Sequence, residues 1–310
     1  MSTPFSPLIV GVEGLKLTPV ERVWLADVRP YAVVLFARNI AEPSQLLDLV
    51  GEIKTAVPDV RLVVDQEGGR VQRLTFDGPL PSAAEVGARW AGGATMAGFE
   101  WGYQIGESVA KYGFDWVFAP CVDRRVPGAH AIIGDRAISE DVGEIVRVAS
   151  DFLDGLKHAK VEGCLKHVPG HGRATVDSHH GLPVVRGTDE EMALDFKPFK
   201  TLATKAGFVM TAHIAYPDFM GGIFGELPVT MNADFLTWMR DEMNFAKGKI
   251  VADDMGMEAL GGDYASRVRG SLEAGCDLVC CSFSLIKKGM AGSYFDSEAA
   301  AAVRGMRFKV

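Results

Sequence analysis

Eight short apolar runs punctuate the chain, each followed by glycine or polar residues and then by a longer segment of helical periodicity. The runs are Leu8–Val12, Ala32–Phe36, Arg61–Val64, Trp116–Ala119, Gly163–Lys166, Phe208–Thr211, Lys249–Ala252 and Leu278–Cys281. Helices are expected over Glu42–Thr55, Thr95–Tyr112, Asp141–His158, Asp189–Ala203 and Asn232–Asn244. This alternation is the pattern of repeated βα units around a parallel sheet. Eight such units in 310 residues fit an α/β fold of the single-domain (β/α)8 TIM-barrel kind. A doubly wound sheet would carry a Gly-rich phosphate turn after its first strand, and Gly11-Val12-Glu13-Gly14 is not that fingerprint. No Pro/Ser-rich linker, low-complexity tract or repeat divides the chain, so residues 1–310 are read as one domain. The strand rhythm stops after Ser282, and Ser297–Met306 reads as a terminal helix.

A composition of 48% hydrophobic and 23% charged residues belongs to a globular protein with a substantial core. The net charge of -8 and the lack of any Lys/Arg cluster longer than a pair exclude nucleic acid and anionic membrane as expected partners. Met1 to Pro7 has no basic n-region and Leu8–Val12 is too short for a signal core or a membrane span, so a cytoplasmic location is expected. Five cysteines, two of them adjacent at 280 and 281, do not describe a disulfide framework. Cys276, Cys280 and Cys281 fall in what reads as a buried strand with no histidine near in sequence, and neither a metal nor a cofactor is expected.

In a (β/α)8 barrel the C-terminal ends of the strands face the mouth where chemistry is done. Four of these ends are decorated: the third run ends in Asp65 through Arg73, the fifth in Lys166-His167, the sixth in Thr211-Ala212-His213 and the seventh in Asp253-Asp254. Asp253 emerges directly from Ile250-Val251-Ala252, held on a rigid element yet open to the mouth, which suits a carboxylate nucleophile. Nearby cations such as Lys166, Arg73 and Arg136 would keep it ionised. Successive side chains point opposite ways, so one of the two aspartates enters the mouth and the other caps the next helix; Asp253 is preferred for the mouth. Asp65, as an acceptor, with Lys166, His167, Arg73 and Arg136 as donors, describes a pocket for a sugar-sized polar ligand. Arg70, between Gly69 and Val71, reads as half of a structural ion pair.

Between residues 166 and 183 lie four of the seven histidines in a Gly- and Pro-punctuated loop, the pattern of a movable active-site segment. Asp177 and His179, one residue apart, would share a face of an extended loop. An aspartate holding one imidazole nitrogen leaves the other to give and take a proton near neutral pH. The same spacing also fits an Asx-turn beside an exposed histidine, and His180 is an alternative to His179. His213 is read either as support or as a direct ligand contact, and His171 as satisfying loop backbone.

These motifs, in order Asp65-Gln66-Glu67-Gly68-Gly69-Arg70-Val71-Gln72-Arg73, Ile133-Gly134-Asp135-Arg136, Lys166-His167-Val168-Pro169-Gly170-His171-Gly172 with Asp177-Ser178-His179, and Asp253-Asp254-Met255-Gly256-Met257, resemble a bacterial β-N-acetylhexosaminidase of glycoside hydrolase family 3 over nearly the whole chain. The resemblance implies a retaining two-step removal of terminal β-linked N-acetylglucosamine. Asp253 would be the nucleophile, His179 oriented by Asp177 the acid and then the base, and Asp65, Arg73, Arg136, Lys166 and His167 the sugar contacts. It further implies a small carbohydrate substrate, an N-acetylglucosamine-containing muropeptide of cell-wall recycling, no cofactor, and a monomer or weak homodimer. The chain departs from the family in carrying Ala252 where serine is frequent and in lacking a Cys-Asn ending on its last strand.

Three other readings separate by simple observations. A metal-dependent amidohydrolase would begin with His-x-His on its first strand, which Leu8 to Glu13 lacks. A non-catalytic sugar-binding barrel would use Asp65 and Arg73 but not Asp253 or the Asp177-His179 pair. A phosphorylase would keep the glycosyl-enzyme and pass the sugar to phosphate, since a histidine acid/base does not repel an anion as a carboxylate would.

Overall fold

The computed structural model describes residues 5–175, 181–243, 245 and 249–282. Its strands are β1 (Ser6–Gly11), β2 (Pro30–Leu35), β3 (Arg61–Val64), the short hairpin pair β4 (Gln66–Gly68) and β5 (Val71–Gln72), β6 (Trp116–Val117), β7 (Glu162–Val168), β8 (Phe208–Thr211), β9 (Lys249–Ala252) and β10 (Leu278–Cys281). Apart from the hairpin these close into one eight-stranded barrel in the order β1-β10-β9-β8-β7-β6-β3-β2, parallel throughout. Each barrel strand falls on one of the eight apolar runs.

The helices of the described residues are α1 (Pro19–Val28), α2 (Pro43–Ala56), α3 (Ala83–Ala91), α4 (Ala97–Ala110), α5 (Val142–His158), α6 (Asp189–Leu202), α7 (Ala233–Met243) and α8 (Tyr264–Ala274). Of these α2, α4, α5, α6 and α7 lie on the segments named from periodicity, whereas α1, α3 and α8 were not given bounds. Those three are short, and local chemistry starts two of them: Thr18 with Glu21 and Ser82 with Glu85 form reciprocal capping boxes. The expected helix Ser297–Met306 lies outside the described residues.

Two buried clusters divide the strands residue by residue. Ile9, Ala32, Val34, Val63, Trp116, Cys164, Phe208, Val251, Leu278 and Cys280 pack together inside the barrel. Their immediate neighbours Leu8, Val10, Val33, Leu62, Val64, Leu165, Val209, Ile250, Val279 and Cys281 pack outward with the helices. Every strand is thus apolar on both faces, as a covered parallel sheet requires. Trp116 and Phe208 pack at 3.8 Å between ring centroids, tilted by 33°, and fill the interior.

The same alternation positions the site. Two residues beyond the inward-facing Val63, Cys164 and Val251 stand Asp65, Lys166 and Asp253, so all three must point into the upper end of the barrel. By the same step Phe36, Phe118 and Ser282 follow Val34, Trp116 and Cys280.

Candidate active site

At the C-terminal mouth these side chains surround a cavity of about 560 Å³, with Met210 and Cys280 in its floor. Asp65, Arg73, Arg136, Lys166, His167 and Asp253 all line it. The six described residues expected to act are therefore brought together. Asp177 and His179 lie outside the described residues, as does His180.

The cationic side of the cavity is organised by a residue to which its sequence context assigns no role. Glu67, 3% exposed, accepts from Arg136 Nε and a terminal nitrogen at 2.8 Å each, and its Oε1 lies 2.6 Å from Lys166 Nζ. Lys166 also reaches Asp65 Oδ1 at 3.1 Å. Burial alone would raise the Glu67 pKa, but the facing guanidinium and ammonium outweigh it and hold the carboxyl well below the usual carboxylate range. Burial acts against the charge of Lys166 too, and Glu67 and Asp65 reverse that effect, so its pKa is raised. The outcome is two charged donors fixed in orientation, facing a site where hydroxyl oxygens can be bound.

The hairpin β4–β5 places the remaining arginines. Gly68 has φ +85° and approaches the carbonyl of Pro81 so closely that a Cβ there would sit 2.2 Å from it. Gln66 Oε1 accepts the main-chain N–H groups of Arg73 and Leu74 at 2.8 and 3.0 Å, which sets the chain direction into Arg73. Arg73 then lies 3.9 Å from Asp65 Oδ2. Arg70, as expected, is structural: it bonds Asp135 at 2.6 Å and the carbonyls of Ala131, Ile132 and Ile133, pinning the loop that delivers Arg136.

Asp253 and Asp254 have separate tasks. Asp253 Oδ1 accepts the N–H of Asp254 at 2.8 Å. Burial raises the Asp253 carboxyl, yet His167, His213, the Asp254 N–H and Lys166 together leave it lowered, so it is ionised at neutral pH. Asp254 takes the N–H of Gly256 and of Ser282 on Oδ1 and the Ser282 hydroxyl on Oδ2, tying the end of β9 to the end of β10. His213 turns out to be support: it is buried, and its Nε2 meets the Asp254 carbonyl at 3.0 Å. A carbonyl only accepts, so Nε2 carries the proton, and Nδ1 lies 2.9 Å from the Thr230 hydroxyl oxygen. Burial lowers the His213 pKa and favours that neutral ring.

His167 departs from strict alternation because the β7–β8 register shifts between Leu165 and Val168. Its Nδ1 bonds the fully buried Asp123 at 2.7 Å, leaving Nε2 as the ring nitrogen available to the cavity. Asp123 was not among the expected site residues; it stands four residues past the fourth apolar run, whereas Asp65 directly follows the third. Cys121, Asp123 and His167 bring three donor atoms within 4.8 Å of one another, but the carboxylate is already filled by hydrogen bonds, including main-chain N–H groups of His167 and His171. The His171 ring is buried, with its Nδ1 unpartnered among the described residues.

The segment leading into the histidine loop is strapped down. Asp195 accepts from Arg124 Nε at 2.7 Å and from Arg173 Nε, while the Tyr216 hydroxyl donates to the Gly170 carbonyl at 2.7 Å. The arrangement as a whole offers an ionised carboxylate facing a cavity whose opposite wall carries oriented cations, suited to attack on an electrophilic carbon of a polyhydroxylated ligand.

Known proteins agree with this geometry. The profile of the glycosyl hydrolase family 3 N-terminal domain matches residues 8–291. A beta-hexosaminidase of Methylococcus capsulatus is 37% identical over 275 residues, covering 87% of this chain and 80% of that protein. One from Stenotrophomonas maltophilia is 35% identical over 285 residues, covering 88% and 82%. Among solved structures, NagZ from Neisseria gonorrhoeae in complex with N-trifluoroacetyl-D-glucosamine superposes with a TM-score of 0.84 at 29% identity, covering 99% of this chain and 91% of that one. The chain belongs to glycosyl hydrolase family 3 and is a glycoside hydrolase.

Proposed function

We propose that the protein is an exo-acting β-N-acetylhexosaminidase that removes terminal β-linked N-acetylglucosamine with retention of configuration, its natural substrates being muropeptides in cytoplasmic cell-wall recycling. The β-hexosaminidase reading is supported by the curated relatives and by the hexosamine derivative bound to the gonococcal protein. The observation that carries the mechanism is the placement of Asp253, ionised and open to the cavity at the end of β9, across from Asp65, Lys166 and Arg136.

In the first step Asp253 Oδ attacks the anomeric carbon as the glycosidic C–O bond breaks, and His179 gives its proton to the departing oxygen. In the second, water attacks the same carbon, its proton returns to His179, and Asp253 leaves as carboxylate. Asp177 holds the other imidazole nitrogen. Asp65, Arg73, Arg136, Lys166 and His167 bind ring hydroxyls and the acetamido group. A histidine replaces the second carboxylate of most retaining glycosidases, so carboxylate separation is no guide here.

Two experiments test this. Enzyme trapped with a fluorinated N-acetylglucosamine inhibitor should carry the sugar on the peptide containing residue 253, and label elsewhere removes Asp253 as nucleophile. His179→Ala should retain turnover of substrates with activated leaving groups while losing unactivated ones, and equal loss of both would remove His179 from the acid role.

A further inference from the structure

We propose that Asp123 is the positioning residue of this site, a carboxylate set behind the cavity wall that fixes which nitrogen of His167 faces the ligand and, through the same two oxygens, seats the turn leading to His171. The inference draws on the glycosidase reading only for its activity arm.

Asp123 is fully buried and does not line the cavity, so it acts through its neighbours. Its Oδ1 accepts the N–H of His171 at 2.6 Å and shares the N–H of His167 with Oδ2 at 3.2 Å each. Oδ2 meets His167 Nδ1 at 2.7 Å, and Cys121 Sγ approaches it at 3.3 Å. Main-chain N–H groups can only donate, so the carboxylate is an acceptor toward all of them, and Nδ1 facing it must carry a proton. Nε2 is left to the cavity. His167 also bears on Asp253, being foremost among the groups whose charge counters the effect of burial on that carboxyl.

Asparagine at 123 separates positioning from scaffolding. Its Oδ1 can still accept the His167 and His171 main-chain N–H groups, but its NH₂ would face Nδ1 and drive the ring proton to Nε2. Long-range ¹H–¹⁵N correlation spectra, with His167 assigned by the signals lost in His167→Gln, read this directly. In the wild-type chain Nδ1 should be protonated. In Asp123→Asn the proton should move to Nε2, kcat/KM on an aryl β-N-acetylglucosaminide should fall by roughly 10²-fold or more, chiefly in kcat, and the melting temperature should fall by only a few degrees. Asp123→Glu should restore Nδ1 protonation in part. A bare Nδ1 in the wild-type chain overturns the proposal even where the variants fail to fold. So does an unchanged ring state, or wild-type kcat with lowered stability, in Asp123→Asn. Absence of all N-acetylglucosaminidase activity in the wild-type chain would instead defeat the functional reading, while the spectra would still judge the role of Asp123.

Discussion

Asp253 and Asp254 are adjacent in sequence and both border the cavity, yet their bonds differ: Asp253 accepts the N–H of Asp254, while Asp254 bonds Gly256 and Ser282 and closes the seam between β9 and β10. Asp253→Asn is expected to lower kcat by roughly 10³-fold or more with little change in stability. Asp254→Asn is expected to cost about 1–3 kcal/mol of stability with a smaller loss of kcat, because it breaks a charge-assisted bond to the Ser282 hydroxyl. Urea unfolding and steady-state kinetics on both variants check the division. If Asp254→Asn abolished turnover without destabilising the protein, the two assignments would have to be exchanged.

What could be read from residues alone was whatever burial writes into them. Strands covered on both faces leave uninterrupted apolar runs, so Val63-Val64 and Ile250-Val251-Ala252 announced themselves, and the polar residue after each run marked the mouth. α1 and α8 left no bounds in the sequence because their buried faces are narrow: Glu21 and Leu25 in one, Val268 and Ser271 in the other. Glu67 escaped because its partners, Arg136 and Lys166, lie 69 and 99 residues away, and no local pattern encodes that closure. Asp123 lacked the signal of Asp65, because Pro120 cuts the fourth run off at Ala119 and leaves the carboxylate four residues beyond it. His213 was placed correctly at a strand end; only Thr230 and the Asp254 carbonyl reveal that it supports the end of β9.

Glu67→Gln should be costly on two counts. It removes the negative charge shared by Arg136 and Lys166 and leaves both cations buried with less compensation. Breaking a buried pair in this way costs about 3–5 kcal/mol. Arg136 and Lys166 would also lose their fixed directions, so KM for the sugar should rise together with a fall in kcat. Denaturant midpoints and kinetics measured on one preparation test this. A variant with wild-type stability and KM would show that the two cations are organised without Glu67.

Acid should weaken the fold in two stages. The His171 pKa is lowered from 6.5 to about 4, by burial first and then by His167. Between those values the unfolded chain binds more protons than the folded one, so stability is complete above pH 6.5 and lost as pH falls toward 4, by about 3 kcal/mol. Burial raises the Asp123 pKa, but His167 and the His171 N–H reverse this and bring it from 3.8 to about 2. A further loss of about 2 kcal/mol is therefore expected below pH 3.8. Urea unfolding from pH 7.5 to 4 should show the first stage in the wild-type chain and a flatter profile in His171→Gln. Parallel profiles would remove His171 as its source.

Two glycines should respond oppositely to alanine. Gly51 lies exposed in the middle of α2, and a Cβ there meets nothing within 4 Å. Gly51→Ala should therefore stabilise the protein by about 0.5–1 kcal/mol, from helix propensity and lost unfolded-state freedom. Gly172 packs against the carbonyl of Arg124, the residue after Asp123, and a Cβ would fall 1.7 Å from that oxygen. Backbone presses on backbone there, so no rotamer change relieves it, and Gly172→Ala must shift the turn that His171 and Arg173 hold in place. A loss of about 1–3 kcal/mol is expected. With His179, a few residues further along the chain, as the proposed acid, substrates with unactivated leaving groups should suffer more than activated ones. Thermal melts together with the ratio of kcat/KM for the two substrate types would check it. An alanine tolerated at 172 with both ratio and stability unchanged would mean that the turn does not set the approach of the acid.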